Sequence, residues 1–92
     1  MMRVCYFAHL HDDTGKAEEL VDGPASVLEL LHLLVSRYQE PLRRHILSED
    51  GTNVSEDIFI LVNGRHLRQL QGSDTILHDT DTVAIIPVTE GG

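Results

Sequence analysis

The sequence lacks several residue types on which particular classes of protein depend. It has no tryptophan and only two phenylalanines and two tyrosines among 92 residues, so few rings are available to stack on nucleic-acid bases. Seven Lys and Arg residues stand against fifteen Asp and Glu residues, and the formal charge of -8 repels phosphate backbones and anionic membrane surfaces. We therefore expect partners with basic surface, and neither nucleic acid nor a membrane.

Cysteine and long apolar runs are also scarce. Cys5 is the only cysteine, so no internal disulfide can form, and a thiol inside a predicted strand should behave as a small apolar side chain. No apolar run reaches the roughly 18 residues of a membrane span, and residues 1–6 lack the apolar region of a signal peptide. These absences predict a cytoplasmic location.

Signals for a metal or catalytic site are weak. His9 and His11 could place two imidazoles on one side of a strand end, but no Cys or His cluster has zinc spacing, and we predict no metal. Asp79 and Asp81 precede the last predicted strand and are interpreted as turn residues rather than as a catalytic carboxylate pair. A nucleophile motif and a Gly-rich phosphate loop are both missing from the sequence. We expect a chain without catalytic residues of its own and without a bound cofactor.

Apolar patterning predicts a single α+β domain over residues 1–92. Ser26 and Glu29 form a capping box ahead of an apolar stripe, which predicts one long helix over residues 27–38. Asn63-Gly64 is a strong two-residue hairpin signal, and residues 42–47 suggest a short helical turn. Strands are expected at residues 3–10, 16–22, 58–62, 65–70 and 82–87, with a loop at 11–15. This order indicates a β-grasp fold, in which a mixed sheet of four to five strands holds one main helix across its face.

The sequence ends in Gly91-Gly92, directly after the strongly apolar segment of the last predicted strand. A glycine pair has a minimal cross-section, but it loses much conformational entropy when it becomes ordered. One interpretation is a frayed end in solvent. The other is a flexible tail over residues 88–92 that threads a narrow channel in a partner and offers the Gly92 carboxylate for chemistry. The tail residues alone leave both interpretations open.

A family pattern runs through essentially the whole chain. It is carried by residues 4–8 (VCYFA), 58–65 (IFILVNGR), 75–77 (TIL) with 79–85 (DTDTVAI), and 87–92. Together these segments resemble the ubiquitin-like sulfur carriers of the MoaD and ThiS type. The resemblance is strongest to MoaD, the small subunit of molybdopterin synthase, including its archaeal-type relatives. The chain departs from the family at Asp79-Thr80-Asp81, where Asp-Gly-Asp is usual, and at Ile86-Pro87-Val88, where Pro-Pro-Val is frequent.

The resemblance implies a sulfur carrier whose partners supply the catalysis. A ubiquitin-activating-like adenylyltransferase of the MoeB or ThiF type would use ATP to adenylate Gly92. A sulfurtransferase or cysteine desulfurase would then supply sulfur to form a thiocarboxylate. The acceptor it implies is a pterin precursor of the molybdenum or tungsten cofactor, held by the larger catalytic subunit of molybdopterin synthase (MoaE type). The segment that threads into the partner would comprise Val88, Thr89, Glu90, Gly91 and Gly92.

Two alternatives remain open at this point. The chain could be a ubiquitin-like protein modifier or adaptor conjugated to lysines through Gly92, or a sulfur carrier for thiamine, cysteine or tRNA thiolation. Lys16 is the sole lysine, which excludes lysine-linked chains of several topologies and favours a carrier or a single modifier.

A partner-docking surface can also be placed on the predicted sheet. We expect partners to dock on the sheet face near the exit of the tail, around Phe7, Ile60, Val62 and Pro87.

Overall fold

Five strands form one mixed sheet in the structure, a computed structural model that describes residues 1–88. The strands and helices are β1 (Met2–Tyr6), α1 (His9–Thr14), β2 (Glu18–Val21), α2 (Val27–Tyr38), α3 (Leu42–Ile46), β3 (Ile58–Val62), β4 (Arg65–His66) and β5 (Thr82–Pro87). Short 3-10 turns at Leu67–Gln69 and Gly72–Asp74 complete the connection before β5. None of the helices within residues 1–88 has the length and apolarity needed to cross a membrane.

The last strand lies in the middle of the sheet. The strand order is β2-β1-β5-β3-β4. β5 runs parallel to β1, with Val4 opposite Val83, and antiparallel to β3, with Ile60 opposite Ile85. The two edge strands, β2 and β4, pair antiparallel with β1 and β3. This topology, with one long helix across the sheet, confirms the predicted β-grasp fold.

The core lies between α2 and one face of the sheet. Leu30, Leu31 and Leu34 of α2 are completely buried, as are Ile60 of β3 and Ile85 of β5. Burial alternates along β3 and β5, so every second residue points at the helix and the others form the opposite face. The apolar run of β5 is continuous, as is typical of a strand buried on both faces, yet its outward residues are only half-buried.

Helix α2 begins and ends where the sequence predicts. The Ser26 hydroxyl accepts a hydrogen bond from the Glu29 N–H at 3.2 Å, and the Glu29 carboxylate accepts one from the Ala25 N–H at 3.2 Å. Both contacts satisfy N–H groups near the helix start that have no partner within the helix. The capping box was therefore a reliable signal of the start of α2.

Helix α1 replaces the expected end of the first strand and the loop that follows it. β1 stops at Tyr6, and Ala8 then adopts a positive φ of 54°, which turns the chain out of the sheet. Leu10 and Thr14, one helical turn apart, are buried, and Gly15 ends the helix in the left-handed conformation at φ 74°. Burial of Leu10 thus stabilises a helix in a segment of weak helix formers.

The hairpin at Asn63-Gly64 has the predicted two-residue turn. Asn63 and Gly64 both have positive φ, 53° and 84°, as a type I′ turn requires. The Asn63 amide donates to the Asp81 carboxylate at 2.8 Å, and the same carboxylate accepts the His78 N–H at 2.8 Å. Asp81 therefore acts in the turn before β5, as predicted.

Only Arg65–His66 of the expected strand 65–70 pairs with β3, because the chain then turns into the 3-10 segment.

A buried carboxylate that the sequence did not reveal connects β1, β2 and α2. Glu19, with a side chain only 8% exposed, accepts hydrogen bonds from the hydroxyls of Tyr6 at 2.5 Å and Tyr38 at 2.6 Å. Lys16 and Arg37 each lie 3.4 Å from its other oxygen. We call these five residues the Glu19 cluster.

Candidate functional site

The end of β5 and Val88 after it form the last described part of the chain. Val88, the first residue after β5, is 53% exposed, and its N–H donates to the Asp57 carbonyl at 2.8 Å. The Phe7 N–H donates to the Ile85 carbonyl at 3.3 Å, so the end of β1 lies beside the end of β5. We call this edge of the sheet, formed by Phe7, Asp57 and Val88, the exit edge. Thr89, Glu90, Gly91 and Gly92 lie outside the described residues.

The predicted docking surface is wrong at three of its four residues. Ile60 is completely buried and Val62 is only 6% exposed. Pro87 is also buried. All three sit at inward positions of β3 and β5, beneath the helical layer, where no partner can reach them without unfolding the domain. Phe7, at 47% exposure, remains available. Neighbouring residues of a strand face opposite sides of the sheet, and the prediction chose the set that faces the core instead of the alternate set that faces outward.

The accessible apolar surface is the opposite face of the sheet. Cys5, Ala84 and Leu61 are consecutive partners across β1, β5 and β3, and Phe59 pairs with Ile86 nearer the exit edge. These five residues are half-buried, and we call them, together with Phe7, the outer sheet face. The His66 ring stacks on Phe59 with centroids 5.7 Å apart. The result is a continuous apolar surface that leads to the exit edge.

Cys5 lies within this face and fits the expected role of a small apolar residue. Partial burial is the main cause that raises the pKa of its thiol; the charge of Glu18 adds to this and that of Arg3 opposes it. A thiol with a raised pKa remains protonated and is a poor nucleophile. The outer sheet face therefore offers contact area rather than a reactive sulfur.

The two histidines that the sequence placed near one strand end, His9 and His11, lie apart in the structure. Because residues 9–14 form a helix rather than a strand end, His9 and His11 are separated by about half a helical turn and lie on different sides of α1. His9 instead faces Asp13, one turn along α1, and His45 from α3. Asp13 and His45 are distant in sequence, which explains why no spacing signal pointed to this group.

Comparisons with known proteins agree with the fold and with the resemblance. The model of the ThiS family matches residues 4–92. Small archaeal modifier protein 3 of Haloferax volcanii is 38% identical over 72 residues, which cover 78% of this chain and 75% of that protein. A putative sulfur carrier protein of Archaeoglobus fulgidus is 33% identical over 72 residues, covering 78% of this chain and 81% of that protein.

A solved structure extends the likeness to three dimensions. The putative molybdopterin converting factor, subunit 1, from Pyrococcus furiosus superposes with a TM-score of 0.75 at 29% identity, covering 96% of this chain and 97% of that one. The similarity therefore includes the sheet, the helix across it and nearly the full length of both chains. On this evidence the chain belongs to the ThiS family of ubiquitin-like sulfur carriers and modifiers.

Proposed function

We propose that the chain is a sulfur carrier that is activated and loaded at Gly92. The observation that supports this most directly is the position of the sequence Val88-Thr89-Glu90-Gly91-Gly92, which directly follows the central strand β5 and begins with an exposed residue at the exit edge. Five extended residues reach about 17 Å at ~3.3 Å per residue. A tail of that length, ending in two residues without side chains, suits entry into a narrow active site.

The proposed chemistry begins with a free Gly92 carboxylate. This group is a poor acyl donor because its oxygen is a poor leaving group. In the activating enzyme, a carboxylate oxygen attacks the α-phosphorus of ATP, pyrophosphate leaves, and an acyl-adenylate forms. A sulfurtransferase or cysteine desulfurase carries the sulfur as a persulfide, and two equivalents of a thiol release it as hydrosulfide while they are oxidised to a disulfide. The hydrosulfide then attacks the acyl carbon, AMP leaves with the bonding electron pair, and a thiocarboxylate remains at Gly92. The chain contributes the acyl group and its reach, while its partners supply the catalysis.

The intact mass of the chain tests this proposal. The full-length protein, incubated with ATP, a sulfur donor and the cognate activating enzyme, should gain the mass difference between one sulfur and one oxygen atom. Fragmentation should place the change at Gly92. A matched reaction without ATP should leave the mass unchanged. The activating enzyme is first shown to load another member of the family. If the present chain then gains no mass with that enzyme, the proposal is contradicted.

For the acceptor, we propose a pterin precursor bound by the larger catalytic subunit of molybdopterin synthase. The support is the resemblance to MoaD and the likeness to the putative molybdopterin converting factor subunit of Pyrococcus furiosus. The loaded chain, mixed with that subunit and the precursor, should return to its unloaded mass as the product appears. A loaded chain that keeps its sulfur under these conditions would redirect the search toward thiamine, cysteine or tRNA thiolation.

Protein modification is the second candidate, favoured by the 38% identity to small archaeal modifier protein 3. In that case the same acyl-adenylate would be attacked by a lysine amine of another protein, and AMP would again leave. The sole lysine, Lys16, lies 3.4 Å from Glu19 and 5.7 Å from the centroid of the Tyr38 ring, so it is already engaged within the Glu19 cluster. Conjugates in cell extracts that carry the Gly92 carbonyl on target lysines would support this function.

The outer sheet face is the proposed docking surface for the activating enzyme. Ile86→Glu places a charge on the part of this face that lies near the exit edge, and we expect the affinity for the activating enzyme to fall by about 2 kcal/mol or more, which exceeds a tenfold loss. Ile76→Glu is the matched control, because Ile76 is 56% exposed but precedes the sheet's last strand and lies outside this face. Titration calorimetry compares the two variants. Equal affinities would exclude the outer sheet face as the docking surface.

A further inference from the structure

Three side chains that can ligate a metal meet between α1 and α3. His9 and Asp13 lie one turn apart on α1, and His45 lies on α3. One donor atom from each residue is within 4.8 Å of the others. The His45 Nδ1 is 2.5 Å from the Asp13 Oδ2, and the His9 Nδ1 is 3.9 Å from the same oxygen. The arrangement brings two imidazole nitrogens and a carboxylate oxygen within 4.8 Å of one another.

The environment of these atoms leaves one ring nitrogen without a hydrogen-bond partner among the described residues. The His9 Nδ1 is buried and has no hydrogen-bond partner within residues 1–88, although buried polar atoms are nearly always partnered. The Asp13 side chain is only 8% exposed. The hydrogen bond between Asp13 and His45 satisfies the polar atoms of those two residues, but the His9 nitrogen still has no hydrogen-bond partner among residues 1–88.

We propose that His9, Asp13 and His45 form a binding site for a divalent first-row transition metal, with Zn²⁺ the best match. Imidazole nitrogen and carboxylate oxygen are ordinary zinc ligands, and three protein ligands leave a fourth tetrahedral position for water. Calcium and magnesium bind through oxygen ligands, so a site with two imidazoles disfavours them. This inference rests on residues far from Gly92 in sequence and is independent of the proposed sulfur chemistry.

Two of the three distances between ligand atoms can be compared with those of a bound site. With metal–ligand bonds of about 2.0–2.2 Å, tetrahedral ligand atoms are about 3.3–3.5 Å apart. The separation between His45 and Asp13 is shorter than this, and that between His9 and Asp13 is slightly longer. A bound metal would therefore move the His45 Nδ1 and the Asp13 Oδ2 apart by about an ångström or less. It would also draw the His9 Nδ1 closer to the Asp13 Oδ2. The His9 side chain is 41% exposed, so the site lies close to the protein surface.

A metal at this point would fix α1 to α3 through three bonds. α1 packs against β5 as well as α3, and it begins two residues after Phe7 at the exit edge. Zinc would thus stiffen the part of the domain that borders the departure of the C-terminal residues. We expect it to stabilise the folded state, since a ligand that binds only the native protein shifts the unfolding equilibrium.

Zinc binding to the full-length, tag-free chain tests the proposal. Competition with a chromophoric zinc chelator should give a single equivalent bound by the wild type. The affinity should fall at least about tenfold in His9→Ala and in His45→Asn, because loss of even a residue that only supports a ligand costs 10–100-fold. His11→Ala is the matched control, since His11 lies on the same helix outside the cluster, and it should bind zinc like the wild type.

Two further measurements keep the test decisive if a variant fails to fold. Zinc should raise the melting temperature of the wild type and of His11→Ala but not of His9→Ala. In the wild type, NMR signals of the His9 and His45 rings should shift with zinc while those of His32 and His66 stay in place. The proposed site would be overturned by any one of three results. These are an equal loss of zinc affinity in His9→Ala and His11→Ala, zinc-induced NMR shifts in all histidine rings, or no zinc bound by the wild type in competition with the chelator.

Discussion

A Gly91→Phe variant is expected to lose transfer of sulfur from Gly92 almost completely while it folds like the wild type. A channel shaped for bare backbone has no room for an aromatic ring, so Gly92 would stop short of the reacting groups. Misplacement of a reacting group by about 1 Å can cost about 10²-fold in rate, and a blocked channel displaces it further. Single-turnover loading with the activating enzyme, followed by intact mass, measures the effect.

The same experiment separates the tail from the folded domain. Gly91 comes four positions after Pro87, where β5 ends, and we expect its replacement to change the free energy of unfolding by less than about 0.5 kcal/mol, the usual range for a surface substitution. Gly91→Ala serves as a graded control with a smaller added group and should retain more activity. Deletion of Gly92 should abolish loading outright. A Gly91→Phe chain that is loaded at the wild-type rate would contradict the threaded tail and favour a docking adaptor.

Removal of the Glu19 carboxylate is expected to cost about 3 kcal/mol of stability in a Glu19→Ala variant. Two tyrosine hydroxyls donate to this nearly buried group, and hydrogen bonds to charged groups contribute about 1.5–3 kcal/mol each. Both hydroxyls would lose their partner in one step. Glu18→Ala is the matched control in the same strand: its side chain is 53% exposed and pairs with the exposed Arg3 at 3.4 Å, so a much smaller loss is expected. Urea denaturation compares the two.

The contribution of Glu19 should also depend on pH. Burial by itself raises the pKa of Glu19, but hydrogen bonds from Tyr38 and Tyr6, with the charge of Lys16, outweigh it and hold the pKa below its ordinary value. A carboxyl whose pKa is lowered on folding stabilises the protein above the pKa of the unfolded state, about 4.3 for Glu. That stability is lost as the pH falls through the folded value. The stability gap between wild type and Glu19→Gln should therefore be constant near neutral pH and shrink below about pH 4. A gap that widens in acid would contradict this assignment.

Local signals in the sequence predicted the elements that depend on local interactions. Helix α2 has both a capping box and an apolar stripe, and its observed bounds are the predicted ones. The Asn63-Gly64 turn needs two positive φ values, which these two residue types tolerate best. Strand β3 was recognised from its run of β-branched and aromatic residues. In each case the information lies within a few neighbouring residues.

The elements that were missed depend on contacts between distant parts of the chain. Helix α1 is stabilised by burial of Leu10 rather than by helix propensity, so its sequence resembles a strand end and a loop. Glu19 gains its role from Tyr6 and Tyr38, which reach it from β1 and α2. His45 lies 32 positions from Asp13. No local pattern reports such pairings.

The docking surface failed for a different reason. An uninterrupted apolar run such as residues 58–62 shows no alternation, so the sequence cannot tell which parity faces the helix. The pairing of Ile60 with Ile85 places both under α2, and Phe59 with Ile86 on the other side. Residues two apart on a strand share a face, so the error at Ile60 extends to Val62, and the pairing of Ile58 with Pro87 places Pro87 on that same face.

The central place of β5 determines how the domain responds to a mechanical load on its C-terminal end. A partner that grips the residues after Pro87 pulls along the axis of β5, which is hydrogen-bonded to β1 on one side and β3 on the other. Such a pull loads both ladders in shear, so many hydrogen bonds must break at once, whereas an edge strand such as β2 or β4 can be peeled away one bond at a time. The domain can therefore withstand tension on the segment that leads to Gly92.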